Sequence, residues 1–162
     1  MQLTLFTDAS LRILIHLARQ APATVTTTAE LAQMYNVPFN HLNKAVTLLS
    51  REGWVRAVRG RGGGLKLGIP AAEIIVGTVV RTTEPGIPLV DCPSCPLRFN
   101  CELQRALSEA LQAFYGVLDR YTLADLAQNT MLLGAPPSAE AWAPVTPAPP
   151  CAPEGIQTVQ PS

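Results

Sequence analysis

The stretch that decides the fold covers residues 27–68 and has the sequence TTAELAQMYNVPFNHLNKAVTLLSREGWVRAVRGRGGGLKLG. A capping-box pattern, Thr27-x-x-Glu30, predicts a helix over 28–35. A second helix is predicted over 38–52, where a proline occupies the first turn, a position that proline favours. Apolar residues recur along this second helix at the spacing of one helical face. They are Leu42, Ala45, Val46 and Leu49.

A β-hairpin is predicted directly after these two helices. Residues 54–58 and 65–67 have the composition of strands, and a glycine-rich turn over 59–64 joins them. Upstream, apolar residues at helical spacing predict a first helix over 6–20. Three helices followed by a hairpin is the order of a winged helix-turn-helix, so the predicted fold class is mainly α with a small β-hairpin.

Polar and basic side chains on the second helix of this motif and on the hairpin are the candidate DNA contacts. In a helix-turn-helix, the N-terminal residues of the second helix contact base edges in the major groove. Asparagine can pair with adenine, and arginine on a glycine-rich turn suits a narrow groove. Alternatively, these side chains only cap the helix or keep the hairpin soluble. The candidates are Thr28, Asn40, His41, Asn43, Lys44, Arg56, Arg59 and Arg61.

The charge distribution favours a polyanionic partner for the N-terminal half. Residues 1–68 hold eight Lys/Arg against three Asp/Glu, an excess of five positive charges. Residues 69–162 carry an excess of five negative charges, so the net charge of the chain is zero. A basic half of this kind is typical of nucleic-acid binding, although it also fits an ordinary solvated surface.

The rest of the chain divides into three parts. A linking helix over 72–82 and a cysteine loop fill residues 71–101, after a DNA-binding domain over 1–70. Residues 131–162 are rich in proline and are expected to be a disordered tail. Between the cysteine loop and this tail lies a dimerisation segment over 102–130, in which one helix is expected over 102–128. The helix carries an apolar stripe long enough to pack on the same helix of a second subunit. The stripe is Leu103, Leu107, Leu111, Phe114, Leu118 and Tyr121.

Three cysteines lie within ten residues, in the segment CPSCPLRFNC that begins at Cys92. Thiolates bind iron–sulfur clusters and zinc, and both centres normally take four ligands. A fourth ligand must therefore come from His16, His41, Cys151 or a carboxylate. A Cys-x-x-Cys oxidoreductase is less consistent with the sequence because the expected βαβ setting is absent. We therefore predict a metal-binding protein that is not an enzyme.

Four segments in order resemble one family of regulators. They are MQLTLFTDASLRILIHLA, VRAVRGRGGGLKLG, IIVGTVVRTTEP, and the cysteines followed by LQRALSEALQAFYGVLDRYTLADL. Together they resemble the IscR-like iron–sulfur winged-helix transcriptional regulators, and most of all the nitric-oxide-sensing NsrR-type repressors. The resemblance covers roughly residues 1–130. Only two residues separate the first two cysteines, which is shorter than is usual in these proteins.

The resemblance implies a homodimer that holds a 4Fe-4S cluster, with a 2Fe-2S form as a degradation product. The implied ligands are Cys92, Cys95 and Cys101 of one subunit and Asp8 of the other. An alternative for Asp8 is a helix N-cap. The implied function is a cytoplasmic repressor that binds a palindromic DNA operator until nitric oxide relieves binding. A regulator of iron–sulfur assembly or redox state and a DNA-binding protein with structural zinc remain open alternatives. No membrane association is expected.

Overall fold

The computed structural model describes residues 3–84, 86, 90, 95, 96 and 101–128. The predicted tail over 131–162 and Cys92 lie outside these residues. No helix in the described part is both long enough and apolar enough to cross a membrane. The helices are α1 (Leu5–Arg19), α2 (Thr28–Tyr35), α3 (Phe39–Arg51), α4 (Val76–Thr83), α5 (Glu102–Leu118) and α6 (Leu123–Ala127). Two strands, β1 (Val55–Val58) and β2 (Gly64–Leu67), form an antiparallel hairpin. This order confirms the predicted fold class.

The core is formed mainly by α1, α2 and α3, which pack their apolar faces against one another. Thr4 begins α1 by accepting a hydrogen bond from the backbone N–H of Thr7 at 3.2 Å. Apolar side chains recur every three or four residues along α1 and so lie on one face of the helix, which is buried. The largest fully buried apolar side chains include Ile13, Leu14, Leu31, Leu42 and Leu49.

The turn between α2 and α3 sets the angle of the helix-turn-helix. The predicted capping box is confirmed, since Thr27 and Glu30 exchange hydrogen bonds at the start of α2. Asn36 ends α2 in the left-handed conformation, with φ of 52°. Asparagine tolerates this conformation better than most residues. The next residue, Val37, turns inward and is buried.

The β1–β2 hairpin, together with its turn over 59–63, forms the wing. Val55 pairs with Leu67 and Val58 pairs with Gly64. The hairpin follows the prediction, except that its first strand begins at Val55 and its second strand already begins at Gly64, which was expected in the turn. Gly60 and Gly62 have φ of 108° and 77°, so the tight turn depends on glycine at both positions. The wing is fixed to the helices because the backbone N–H of Leu65 donates to the carbonyl of Thr26 at 2.9 Å.

The C-terminal helix prediction is wrong in one respect. The single helix expected over 102–128 is interrupted, because α5 ends at Leu118 and α6 starts at Leu123. Thr122 caps α6 through a capping box with Asp125. Leu123 is 1% exposed and packs into the main core, so α6 returns to α1 instead of extending α5.

The linking helix also differs from the expectation. The helix predicted over 72–82 is a 3-10 turn, Ala71–Glu73, followed by α4. Ile74 and Ile75 separate the two. Ile74 is buried, and its carbonyl accepts a hydrogen bond from the backbone N–H of Leu123 at 2.8 Å. The chain therefore leaves helical geometry here in order to pair with the start of α6.

Candidate nucleic-acid interface and cysteine loop

The polar side chains predicted to contact bases lie on the exposed part of α3. Asn40, His41, Asn43 and Lys44 are all exposed, whereas the apolar stripe of the same helix is buried. Helical spacing places Asn40 and Lys44 opposite that stripe. The helix contains no acidic residue. The described face is thus polar and basic, as expected of a helix that enters the major groove.

Two arginines occupy the tip of the wing. Arg59 and Arg61 are exposed and flank Gly60. In the described part of the chain, neither takes part in an ion pair. A guanidinium group without an internal partner is available to phosphate oxygens or to a narrow minor groove.

Two other candidates are placed differently. Arg56 lies on β1, and its Nε donates to the carbonyl of Leu67 at 3.2 Å, so the hairpin itself holds its guanidinium. Thr28 is the first residue of α2 and is partly buried, while Thr27 provides the cap. The structure therefore places Arg56 on the strand behind the wing tip and Thr28 in the first turn of α2.

His16 connects the elements that carry the candidate interface, a role that the sequence did not indicate. His16 of α1 contacts the Tyr35 hydroxyl through Nδ1 and the Thr26 hydroxyl through Nε2, both at 3.2 Å. Burial lowers the pKa of His16, which favours the neutral ring. Because Thr26 also pairs with β2, this contact connects α1, α2 and the wing.

The cysteine loop is only partly described. Cys95 and Cys101 are free thiols and are partly exposed, and Cys101 directly precedes α5. Cys92 lies outside the described residues. Within the described part of a single chain, no three Cys, His, Asp or Glu side chains converge on one point. The predicted ligand set includes Cys92 and a residue of a second subunit, so it stays a prediction.

Asp8 lies inside the first turns of α1, four residues before Arg12. The two side chains form a two-point ion pair, in which both N···O distances are 2.9 Å. The Asp8 side chain remains 40% exposed. The alternative role of Asp8 as a helix N-cap is wrong, because Thr4 occupies that position.

Glu84 is a connecting residue that the sequence did not reveal. It follows α4 directly, and its Oε1 accepts a hydrogen bond from the backbone N–H of Thr4 at 2.7 Å. The contact joins the start of α1 to the end of α4, eighty residues apart. It therefore links the helix that bears Asp8 to the segment that leads into the cysteine loop.

Comparison with known proteins supplies the family. The Rrf2 model, described as an iron-dependent transcriptional regulator, matches residues 3–129. The chain belongs to the Rrf2 family of transcriptional regulators. This assignment confirms the resemblance to a family of winged-helix regulators. It also confirms that the chain is not an enzyme, because the family consists of regulators of transcription.

Solved structures of Rrf2-type regulators share the fold. The structure of CymR, the global cysteine regulator of B. subtilis, is 30% identical; the match covers 78% of this chain and 96% of that one, with a TM-score of 0.65. The oxidized form of Staphylococcus aureus CymR is 27% identical over 79% of this chain and 97% of that one, with a TM-score of 0.66. IscR of T. potens is 18% identical over 88% and 97%, with a TM-score of 0.67, and supports the fold alone.

We expect the wing arginines to contribute to DNA affinity through phosphate contacts. Replacing Arg59 or Arg61 by alanine should weaken binding and reduce the slope of log K against log salt by about one unit each. The measurement is a titration of an operator duplex at several salt concentrations. Lys66→Ala is the control, because the Lys66 ammonium already donates to the carbonyl of Pro22 at 2.5 Å. An unchanged slope in both arginine variants would exclude wing contacts.

Proposed function

We propose that this Rrf2 regulator is a homodimeric repressor that responds to nitric oxide through an iron–sulfur cluster. The main support is the position of two side chains of the types that bind iron. Cys101 directly precedes α5, and the partly exposed Asp8 lies on α1 of the DNA-binding domain. The description of the family as iron-dependent fits these side chains. The binding of a cluster between Cys101 of one subunit and Asp8 of the other would depend on the relative position of two domains that belong to different subunits.

The dimer is supported by the exposure of α5. None of the 17 residues in this helix is buried, although an apolar stripe runs along it. Leu103, the first residue of the stripe, is 54% exposed, and Tyr121, its last residue just beyond α5, is 45% exposed. A helix with one apolar face normally buries that face against another element. A second copy of α5 provides a matching surface.

The donors present suit an iron–sulfur cluster with one labile position. Cys95 and Cys101 offer two partly exposed thiols, and Cys92 is the proposed third ligand. The N-terminus of α5 favours an anionic group beside Cys101. A carboxylate such as Asp8 is a harder ligand than a thiolate and is more easily displaced from iron. When bound, such a cluster supplies iron atoms with which nitric oxide reacts.

Two contacts could carry a change at the cysteine loop to the DNA-binding domain. Asp8 bonded to the partner subunit's cluster would have to leave Arg12, so its two states differ by one ion pair. Glu84 holds Thr4 at the start of the same helix. A signal alters DNA affinity only if the two states prefer different dimer geometries. Both contacts involve residues at the start of α1, so the proposal assigns that difference to the position of α1.

Operator binding by the dimer would use two copies of α3. Related helix-turn-helix dimers contact half-sites one DNA turn apart, roughly 34–36 Å. The symmetry of such a dimer predicts a palindromic operator. Loss of the Asp8 bond would allow this spacing to change.

Replacement of Asp8 tests the proposed ligand. Asp8→Ala should keep the fold and the DNA-binding surface but lower cluster content or change its visible spectrum. It should also change the nitric oxide concentration that releases the operator. The measurement is anaerobic absorbance together with iron and sulfide analysis.

Arg12→Ala is the matched control because it breaks the same ion pair and keeps the carboxylate. Its cluster should be at least as stable as that of the parent. If both variants behave alike, or if Asp8→Ala leaves spectrum and nitric oxide response unchanged, Asp8 is not a ligand.

A second candidate is a thiol-based redox regulator. It is favoured by the similarity to a CymR structure described as an oxidized form and by the free thiols of Cys95 and Cys101. Oxidation would join two thiols in a disulfide, with loss of two protons and of two electrons to an oxidant such as diamide. Anaerobic protein that lacks iron but loses DNA binding with diamide would favour this candidate. Protein that contains iron and sulfide would favour the cluster.

A further inference from the structure

A large apolar side chain stands at the start of the helix proposed to enter the major groove. Phe39 is the first residue of α3 and is 50% exposed. The core does not require it there, since the buried side of α3 begins at Leu42. Exposure of an aromatic ring on this scale has an energetic cost that burial against a partner would remove.

The surroundings of Phe39 suit nucleic acid better than protein. Asn40, Asn43 and Lys44 follow it, and α3 has no acidic residue along its 13 positions. No side chain caps the start of this helix, so backbone N–H groups there are available to phosphate. A partner that covers Phe39 must therefore bind basic and amide side chains around one apolar contact.

The major groove offers that combination at adenine–thymine pairs. Thymine presents a C5-methyl group there, which apolar side chains contact, and adenine presents the N6 and N7 atoms that asparagine binds. Phe39 and Asn43 are four residues apart, so they share one side of α3. One side of the helix thus carries an apolar group followed by an amide.

We propose that Phe39 is a specificity-determining residue that packs on a thymine methyl group, next to an adenine bound by Asn43. The inference rests on DNA binding by α3 and not on the cluster. It predicts that each operator half-site contains a thymine whose methyl group matters, at the position that faces the first turn of α3.

The test removes that methyl group alone. Operator duplexes are first selected from a random pool with the anaerobic full-length protein, and each thymine is then replaced in turn by deoxyuridine. The parent should lose about fourfold in affinity at one position per half-site, the ratio that corresponds to ~0.8 kcal/mol for one buried methylene-sized group. Phe39→Ala should bind the thymine duplex more weakly and no longer distinguish thymine from deoxyuridine at that position.

Met34→Ala is the matched control. Met34 is 57% exposed on α2, the first helix of the motif, so it tests loss of an apolar side chain away from the groove-facing turn. This variant should discriminate between the two bases as the parent does. Thermal unfolding should be unchanged in both variants, because each removes a side chain that is at least half exposed.

Three outcomes would overturn the proposal. They are discrimination by Phe39→Ala equal to that of the parent, a parent insensitive to every deoxyuridine, and a pool from which no duplex is enriched. The nitric oxide response of the parent is measured separately, so failure of the sensor proposal does not decide this one.

Discussion

Replacing Leu111 by aspartate should convert the dimer to a monomer and reduce operator affinity more than a hundredfold. Leu111 lies in the middle of the apolar stripe of α5 and is only partly buried in the single chain. A carboxylate there costs little in the monomer but must be desolvated in the proposed interface. Two linked DNA-binding domains gain about 10²–10⁴ in affinity over a single one, and a monomer forfeits that gain. Analytical ultracentrifugation and operator titration measure the two effects.

Gln112→Asp is the matched control for this experiment. Gln112 is the next residue, is exposed, and lies away from the stripe on the helical wheel. It introduces the same charge on the same helix, and the dimer should persist. A Leu111→Asp protein that stays dimeric and binds its operator normally would show that α5 does not form the interface.

Replacing Cys101 by serine should remove the cluster and with it the response to nitric oxide. The proposed site has four ligands, and serine oxygen is a poor substitute for thiolate at iron. We expect iron and sulfide to fall close to zero in anaerobic preparations. Operator binding by this variant should no longer change when nitric oxide is added. Metal analysis, visible absorbance and operator titration check these results.

Cys151→Ala is the control, because this cysteine lies far along the sequence from the other three. It should keep the parent's cluster and response. Thermal unfolding of Cys101→Ser separates loss of the metal from loss of the fold. A serine variant that binds iron and responds to nitric oxide like the parent would remove Cys101 from the ligand set.

The helix-turn-helix and wing could be predicted because their signals are local. The capping box at Thr27, the periodic stripe of α3 and the glycines of the hairpin turn each fix their own element within a few residues. The break between α5 and α6 has an equally local signal, since Thr122-x-x-Asp125 is a second capping box. The apolar stripe obscures this signal, because its spacing continues to Tyr121 without a gap.

Long-range contacts explain why the helix breaks where it does. At the end of α5, Asp119 receives two hydrogen bonds from Arg81 of α4, both 2.6 Å long. These bonds hold the pKa of Asp119 below its usual value, and Arg81 also lies over the ring of Tyr115 at 4.6 Å. A side chain at Gly77 would collide with the Asp119 carboxylate. No pattern within α5 reports contacts with α4.

The candidate site shows the same division between local and distant information. Exposure of Asn40, Asn43 and Lys44 follows from the periodicity of α3. The hydrogen bond between Glu84 and Thr4 spans eighty residues and has no sequence signature. The exposure of Phe39 could not be predicted either, because an aromatic residue at the start of a helix is as consistent with a buried position.

The most direct test of the central claim is a nitric oxide titration of anaerobically purified protein, with cluster absorbance and operator occupancy followed in the same samples. We expect a coloured protein that contains iron and sulfide, and we expect absorbance and occupancy to change over the same range of nitric oxide. A colourless protein without iron or sulfide that still binds its operator, or an occupancy that stays constant while the absorbance is lost, would contradict the account.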